Sequence, residues 1–323
     1  MNILYLAQFA GVNETEMKLT EEEKHYANYQ NKILEILNTS NHNIAVSNDL
    51  NRVIHMENKP EYIFTLYNRA SFNNSEIFVS ALAEYYKIPY LGARPNIRAI
   101  AEDKHLAKIM AYKANIHTAK WAVFGVGTNR EVISIGLNFL PPYFIKPRYG
   151  ASSRYISSDS IAHSIEEAIY KIQLLFDQNI DVIVEEYLEG TSYTVPLILD
   201  EKLAPLPLTP IKEESSKGVI TYEHKRKTDL GFSRQVCQDE KISKTLHKHV
   251  LDYYELVKPL DYARLDFIVT PKGIPHFLEM NLCCNLGEQA AVALAAYSHG
   301  FTHSELVLTI LERSLKRQGL TFE

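Results

Sequence analysis

Polar residues near the C-terminus alternate along two short apolar runs, Ala263-Arg264-Leu265-Asp266-Phe267-Ile268-Val269 and His276-Phe277-Leu278-Glu279-Met280-Asn281. A period of two puts Arg264 and Asp266 on one strand face and Leu265 and Phe267 on the other. It separates Glu279 and Asn281 from Leu278 and Met280 in the same way. Thr270-Pro271-Lys272-Gly273 is a turn signal, so the runs predict a hairpin centred on Lys272-Gly273, with Asp266 facing Glu279 and Arg264 facing Asn281. Carboxylates held about 5 Å apart between Cβ atoms repel one another. A divalent cation between them removes the conflict. Two carboxylates and an amide form a hard oxygen set suited to Mg²⁺, which takes its remaining ligands from water and phosphate. An isolated R-x-D is what a solvated sheet face shows by chance, and it is the pairing with E-x-N that points to Mg-nucleotide chemistry.

The middle of the chain offers cations and backbone donors for phosphate. A helix is expected over 97–114, holding Asp103, Lys104 and Lys108. The two lysines are four apart on one face, which taken alone reads as a solvated basic stripe. Tyr143 to Lys146 reads as a strand that leaves through Lys146-Pro147-Arg148-Tyr149-Gly150-Ala151-Ser152-Ser153. Such a loop presents amides and hydroxyls to phosphate, although it lacks Walker A spacing. A strand over 181–188, a turn at Glu189-Gly190 and a β-rich run over 193–199 follow. The polar stretch 212–238, with the basic cluster Tyr222-Glu223-His224-Lys225-Arg226-Lys227, has the length of a lid over a charged substrate.

The elements that must position these residues begin with an open α/β unit. Strands are expected at 3–7, 44–46 and 62–66, and helices at 20–37 and 75–86, the second behind a Ser75 cap. Ile88-Pro89-Tyr90-Leu91-Gly92 reads as a short strand near a domain boundary. Ser164 with Glu167 predicts a capping box for a helix over 164–176, and an amphipathic helix over 304–315 closes the chain.

At 323 residues and 46% hydrophobic, the chain has material for two or three cores. A formal charge of -5 and a pI near 6.2 argue against general nucleic-acid binding, which needs a clustered basic surface. The apolar start Met1 to Ala7 is too short for a membrane span and lacks a signal-peptide pattern. Cys237, Cys283 and Cys284 make a poor disulfide framework and fit a reducing cytoplasm. No membrane partner is expected.

Taken in order, these segments resemble the ATP-grasp superfamily, and within it the D-alanine:D-alanine ligase group. The resemblance rests on Asp103-Lys104 with Lys108, the 146–153 loop, Val184-Glu185-Glu186-Tyr187-Leu188-Glu189-Gly190, Tyr222-Glu223-His224-Lys225, and the Arg264/Asp266 and Glu279/Asn281 pairs. It implies an α/β plus α+β architecture: an ATP-grasp fold behind an N-terminal open α/β (preATP-grasp) domain. The expected units are 1–95, a central ATP-grasp subdomain over 96–185, and a C-terminal one over 186–323 with a lid at 212–238. It further implies ATP with Mg²⁺ or Mn²⁺, small-molecule carboxylate and amine substrates, and a homodimer as found in the family. Lys104 and Lys146 would hold phosphates, with Ser152 and Ser153 closing the loop over them. Glu185 and Glu186, with the backbone around Tyr187 and Leu188, would read adenine, and Ser192 would take a ribose hydroxyl. Lys225 would reach the γ-phosphate. Asp266, Glu279 and Asn281 would hold the metal, and Arg264 would stabilise the oxyanion of a tetrahedral intermediate.

The implied reaction makes an acyl phosphate from a carboxylate and ATP, then an amide by amine attack, with the lid excluding water. Departures from the family pattern fall on the substrate segments. Gln8 to Glu14 replaces the segment that holds the first amino acid, leaving Glu14 or Glu16 as its only acidic candidates. Leu282-Cys283-Cys284-Asn285-Leu286-Gly287-Glu288-Gln289 replaces the acceptor segment, so Asn285 and Gly287 become substrate candidates. Arg226 stands where the family has a lid tyrosine and could pair with a substrate carboxylate through its fork. Cys283 and Cys284 read as small pocket-wall residues rather than nucleophiles. The expected activity is an ATP-dependent carboxylate-amine ligase acting on an amino acid or small metabolite. A D-alanine:D-alanine ligase proper, a phosphotransferase on the same scaffold, and a non-catalytic nucleotide-binding module are the alternatives.

Overall fold

The computed structural model describes residues 1–12, 19–54, 59–67, 75–150, 155–215 and 232–320. The chain opens with β1 (Asn2–Leu6), α1 (Glu21–Leu37), β2 (Asn43–Ser47), α2 (Asn51–Ile54), β3 (Tyr62–Thr65) and α3 (Glu76–Tyr86). Its strands form a parallel sheet in the order β2-β1-β3. β3 and all of β1 after Asn2 are buried, as a parallel sheet covered by helices requires. Thr20 caps α1 with a full capping box to Glu23. The expected Ser75 cap is not made: Ser75 has helical dihedrals, which do not aim its hydroxyl at the first-turn amides. The run at 88–92 forms only a single bridge, Ile63 to Tyr90.

The single helix expected over 97–114 is two, α4 (Pro95–Glu102) and α5 (Lys104–Lys113). Asp103 divides them. Its backbone is extended, and its carboxylate accepts the His105 amide at 3.0 Å, a bond that an Asp makes at a helix start but not inside a helix. Arg148 clamps the same carboxylate at 3.0 and 2.7 Å. The break therefore sets Lys104 against the loop after residue 146.

Next come β4 (Trp121–Phe124), α6 (Arg130–Gly136), β5 (Tyr143–Pro147), β6 (Ile161–Ala162), α7 (Ile165–Phe176) and β7 (Val182–Glu186). The strands form an antiparallel sheet ordered β4-β7-β5-β6. Ser164 caps α7 as expected, but Glu167 accepts from His163 rather than from the cap residue, so the reciprocal half of the box reaches one residue further back.

The remainder is β8 (Thr191–Leu199), β9 (Pro205–Pro207), β10 (Ile211–Ser215), β11 (Phe232–Val236), α8 (Glu240–Val257), β12 (Tyr262–Val269), β13 (Pro275–Asn281), α9 (Ala291–Tyr297) and α10 (His303–Arg317). These strands make an antiparallel sheet ordered β11-β10-β8-β12-β13, with β9 also on β8. The stretch expected as loop over 212–238 thus begins and ends in paired strands, in register from Ile211 with Val236 to Ser215 with Phe232. Residues 216–231 lie outside the described part. α4 and α5 share their core with this sheet, Ile97, Ala101, Ala107 and Ala111 packing with Val195, Leu265, Phe267 and Phe277. Buried Asp261 ties it to the first sheet: it accepts from Gly92 N, Ser314 Oγ and Arg317, while Tyr62 donates to Ser314. Among the described residues no helix is long and apolar enough to cross a membrane.

Candidate active site

β12 and β13 pair in the expected register, Arg264 with Asn281 and Asp266 with Glu279, and a bulge follows Asp266. The arginine lies along its own strand: Nε and Nη2 donate to Asp266 Oδ1 and Oδ2 at 3.0 and 2.8 Å. Burial would loosen the Arg264 proton, and the Asp266 carboxylate more than reverses this, so the guanidinium stays charged. Thr194 on β8 donates to Asp266 Oδ1 at 2.8 Å, and Asn281 Nδ2 reaches Asp266 Oδ2 and Glu279 Oε1 at 3.3 and 3.4 Å. The four residues expected together are together. Two carboxylates and an amide oxygen are a sparse, hard donor set that fits Mg²⁺. Among the described residues no three His, Cys, Asp or Glu side chains cluster as a metal-binding group, which disfavours an all-protein cage.

The second constellation is positive. Lys104 and Lys108 are not a solvated stripe; both are buried, because α5 packs into the core of the six-stranded sheet. Lys104 Nζ donates to the Gly150 carbonyl. Lys108 Nζ lies 3.1 Å from Glu185 Oε1, and Lys146 Nζ lies 2.9 Å from the same atom. Lys108 also donates to Thr118 Oγ1 at 2.8 Å, and Thr118 donates to the Phe277 carbonyl on β13 at 2.8 Å. Burial pushes the Lys108 ammonium down to about 8, with Glu185 opposing the shift. Burial would raise the Glu185 carboxyl, but Lys108 and Lys146 hold it below its ordinary range. Lys104 is also lowered by burial, against the attraction first of Glu279 and then of Glu185, so its charge is felt by both constellations.

The remaining expected residues fall as follows. The Glu186 and Tyr187 amides are engaged by the carbonyls of Lys120 and Pro142, each at 2.9 Å, and the Tyr187 ring leans on Phe144. Leu188 follows just beyond β7. Ser192 sits half-buried on β8, opposite Glu213 and Ile268. Asn285 Oδ1 accepts the Gly287 amide at 2.7 Å, so these two residues bind each other in a turn. Cys283 and Cys284 are buried and form no disulfide; burial pushes Cys283 up to about 12 and Cys284 higher still. Glu14, Glu16, Ser152, Ser153, Lys225 and Arg226 lie outside the described residues. Two contributors went unassigned from the sequence, Thr194 and Lys108. Thr194 shares the period-two polar face of Ser192, a signal available in the sequence, whereas nothing local in sequence marks Lys108 as buried.

Two antiparallel sheets, with buried lysines from α5 and β5 beside one and a carboxylate-amide face on the other, have the ATP-grasp architecture, and the similarities that follow place the chain among ATP-grasp enzymes that form carbon-nitrogen bonds. The family model described as D-ala D-ala ligase C-terminus matches residues 111–312, more than half of the chain, and the chain belongs to that family. It is similar to the D-alanine--D-alanine ligase of Aquifex aeolicus (strain VF5), with 29% identity over 257 residues, 79% of this chain and 83% of that one. In fold it resembles the D-alanine--D-alanine ligase of Bacillus anthracis solved with ATP, at a TM-score of 0.76 and 20% identity over 99% of each chain. The VanG D-Ala:D-Ser ligase of Enterococcus faecalis gives 0.77 at 18% identity, covering 97% of this chain and 99% of that one. The resemblance read from the sequence and the fold class it implied are borne out.

Proposed function

We propose that this chain uses Mg-ATP to join a carboxylate to an amine through an acyl phosphate. The observation that carries the reading is the pairing of a lysine-rich group around Glu185 with a carboxylate-amide face at Asp266, Glu279 and Asn281. Phosphoryl transfer is governed by positioned cations that spread the charge of the transferred group. Lys104 and Lys146 hold phosphate oxygens. With the Tyr187 amide engaged, the adenine edge falls to Glu185, the Glu186 carbonyl and the Leu188 amide, and Ser192 takes a ribose hydroxyl. Mg²⁺ or Mn²⁺ held by Asp266, Glu279 and Asn281 supplies charge neutralisation of the phosphates. Arg264, fixed on the same face, accepts oxyanion charge from the reacting carbonyl. Ser152, Ser153 and Lys225 complete the phosphate contacts, and 212–238 is the lid with Arg226 at the substrate. The subdomain limits at about residues 95 and 185 belong to this reading.

The donor segment at 8–14 and the acceptor segment at 282–289 depart from the pattern of the D-alanine enzymes, which favours another amino acid or small metabolite. The Asn285-Gly287 turn supports a shaped acceptor wall. The test incubates the protein with Mg-ATP, a panel of carboxylates and amines that includes D-alanine, and separately hydroxylamine. ADP with amide or hydroxamate is expected. A stable phosphorylated product without hydroxamate contradicts the ligase reading and favours a phosphotransferase.

A further inference from the structure

Two ammonium groups approach one oxygen of Glu185, which is more positive charge than a single carboxylate requires. The two lysines differ in what they can do next. The Lys146 side chain is 6% exposed and sits at the end of β5 where the 147–150 segment leaves, whereas that of Lys108 is 0% exposed. Thr118 pins Lys108 to the backbone of β13, two residues before Glu279. Lys108 therefore has no path to a nucleotide, and it stays with Glu185 whatever Lys146 does.

A buried carboxylate left without its partner is strongly destabilising. If Lys146 were the sole partner of Glu185, turning it toward a phosphate would strand that carboxylate, and the two anions would compete for one ammonium. We propose that Lys108 is a positioning residue, the resident counter-ion of Glu185, which frees Lys146 to pair with a nucleotide phosphate. The inference rests on the reading of Lys146 as a phosphate ligand given above. Lys108 touches neither substrate nor metal. Its effect is confined to ligands that carry phosphate.

The test measures affinity at pH 7 for Mg-ATP by calorimetry and for adenosine by ligand-detected NMR, in the wild type, Lys108→Met, Glu185→Gln and the Lys108→Met/Glu185→Gln double variant. Lys108→Met is expected to weaken Mg-ATP by about tenfold or more, the effect of roughly 1.4 kcal/mol, and to leave adenosine within about twofold. In the double variant no carboxylate competes for Lys146, so the ratio of ATP to adenosine affinity is expected to match that of Glu185→Gln alone. Equal losses for both ligands in Lys108→Met, or a lower ratio in the double variant than in Glu185→Gln, would overturn the proposal. Should Lys108→Met fail to fold, the double variant, which removes both buried charges, decides by the same ratio. A wild type that binds no Mg-ATP would instead refute the nucleotide reading itself.

Discussion

The surroundings of Glu185 on the four-stranded sheet and the hairpin face of the six-stranded sheet differ in the sign of the charge gathered there. Around Glu185 on β7, Lys104, Lys108 and Lys146 set three ammonium groups against one carboxylate. On the β12-β13 face, Asp266 and Glu279 set two carboxylates against the Arg264 guanidinium. The lysine group is buried throughout, whereas on the β12-β13 face Asp266 is buried and Glu279 only half-buried. On the function proposed above, a triphosphate answers the first and a divalent cation the second. On that reading metal and nucleotide bind as a unit, and Lys104, drawn to both Glu279 and Glu185, links the two groups.

Breaking the negative side has the largest expected effect. Asp266→Asn or Glu279→Gln removes a proposed metal ligand and is expected to lower Mg-dependent turnover by about 10³ or more, with thermal stability retained; ADP release in a coupled assay checks it. Breaking the positive side comes next. Lys146→Met is expected to cost about 10² in kcat/KM for ATP, since on the proposed function a charge that reaches the phosphates is lost. A smaller effect sharpens the comparison: Thr194→Val removes the hydroxyl that orients Asp266 and is expected to weaken Mg²⁺ binding about tenfold, read from the Mg²⁺ dependence of activity.

The last effect, on stability rather than on turnover, lies beside the positive group. Glu102 is buried near Glu76, whose amide donates to it at 3.3 Å. Burial and then the like charge of Glu76 push the Glu102 carboxyl from 4.5 up to about 7. The folded chain therefore holds a proton that the unfolded chain releases, and stability falls as pH rises from about 4.5 through about 7. Glu102→Gln is expected to be neutral at pH 4.5 and to stabilise at pH 8 by on the order of 2 kcal/mol in denaturant unfolding.

The negative side was legible in the sequence because strand chemistry is local. A period of two and a turn signal fix which side chains share a face, and the register of Asp266 with Glu279 followed. The positive side was only half legible. Lys104 and Lys146 were found through the resemblance, while the spacing of Lys108 fits a solvated stripe, and only the packing of α5 against the six-stranded sheet reveals its burial. Asp103 hid a helix break for a related reason: alongside its local cap, the carboxylate is clamped by Arg148 from a loop some 45 residues away. The strands at the ends of 212–238 were obscured because Lys212, Glu213 and Glu214 on β10 and Arg234 on β11 satisfy one another by charge rather than by apolar alternation.

The central claim is that the hairpin binds the metal and the lysine group binds the phosphates. Measuring the Kd of ATP with and without Mg²⁺, in the wild type, Asp266→Asn/Glu279→Gln and Lys146→Met, tests it directly. The account predicts that Mg²⁺ tightens ATP in the wild type, that the hairpin variant loses this tightening, and that Lys146→Met binds ATP more weakly in both conditions. Full Mg²⁺-dependent tightening in the hairpin variant would contradict it.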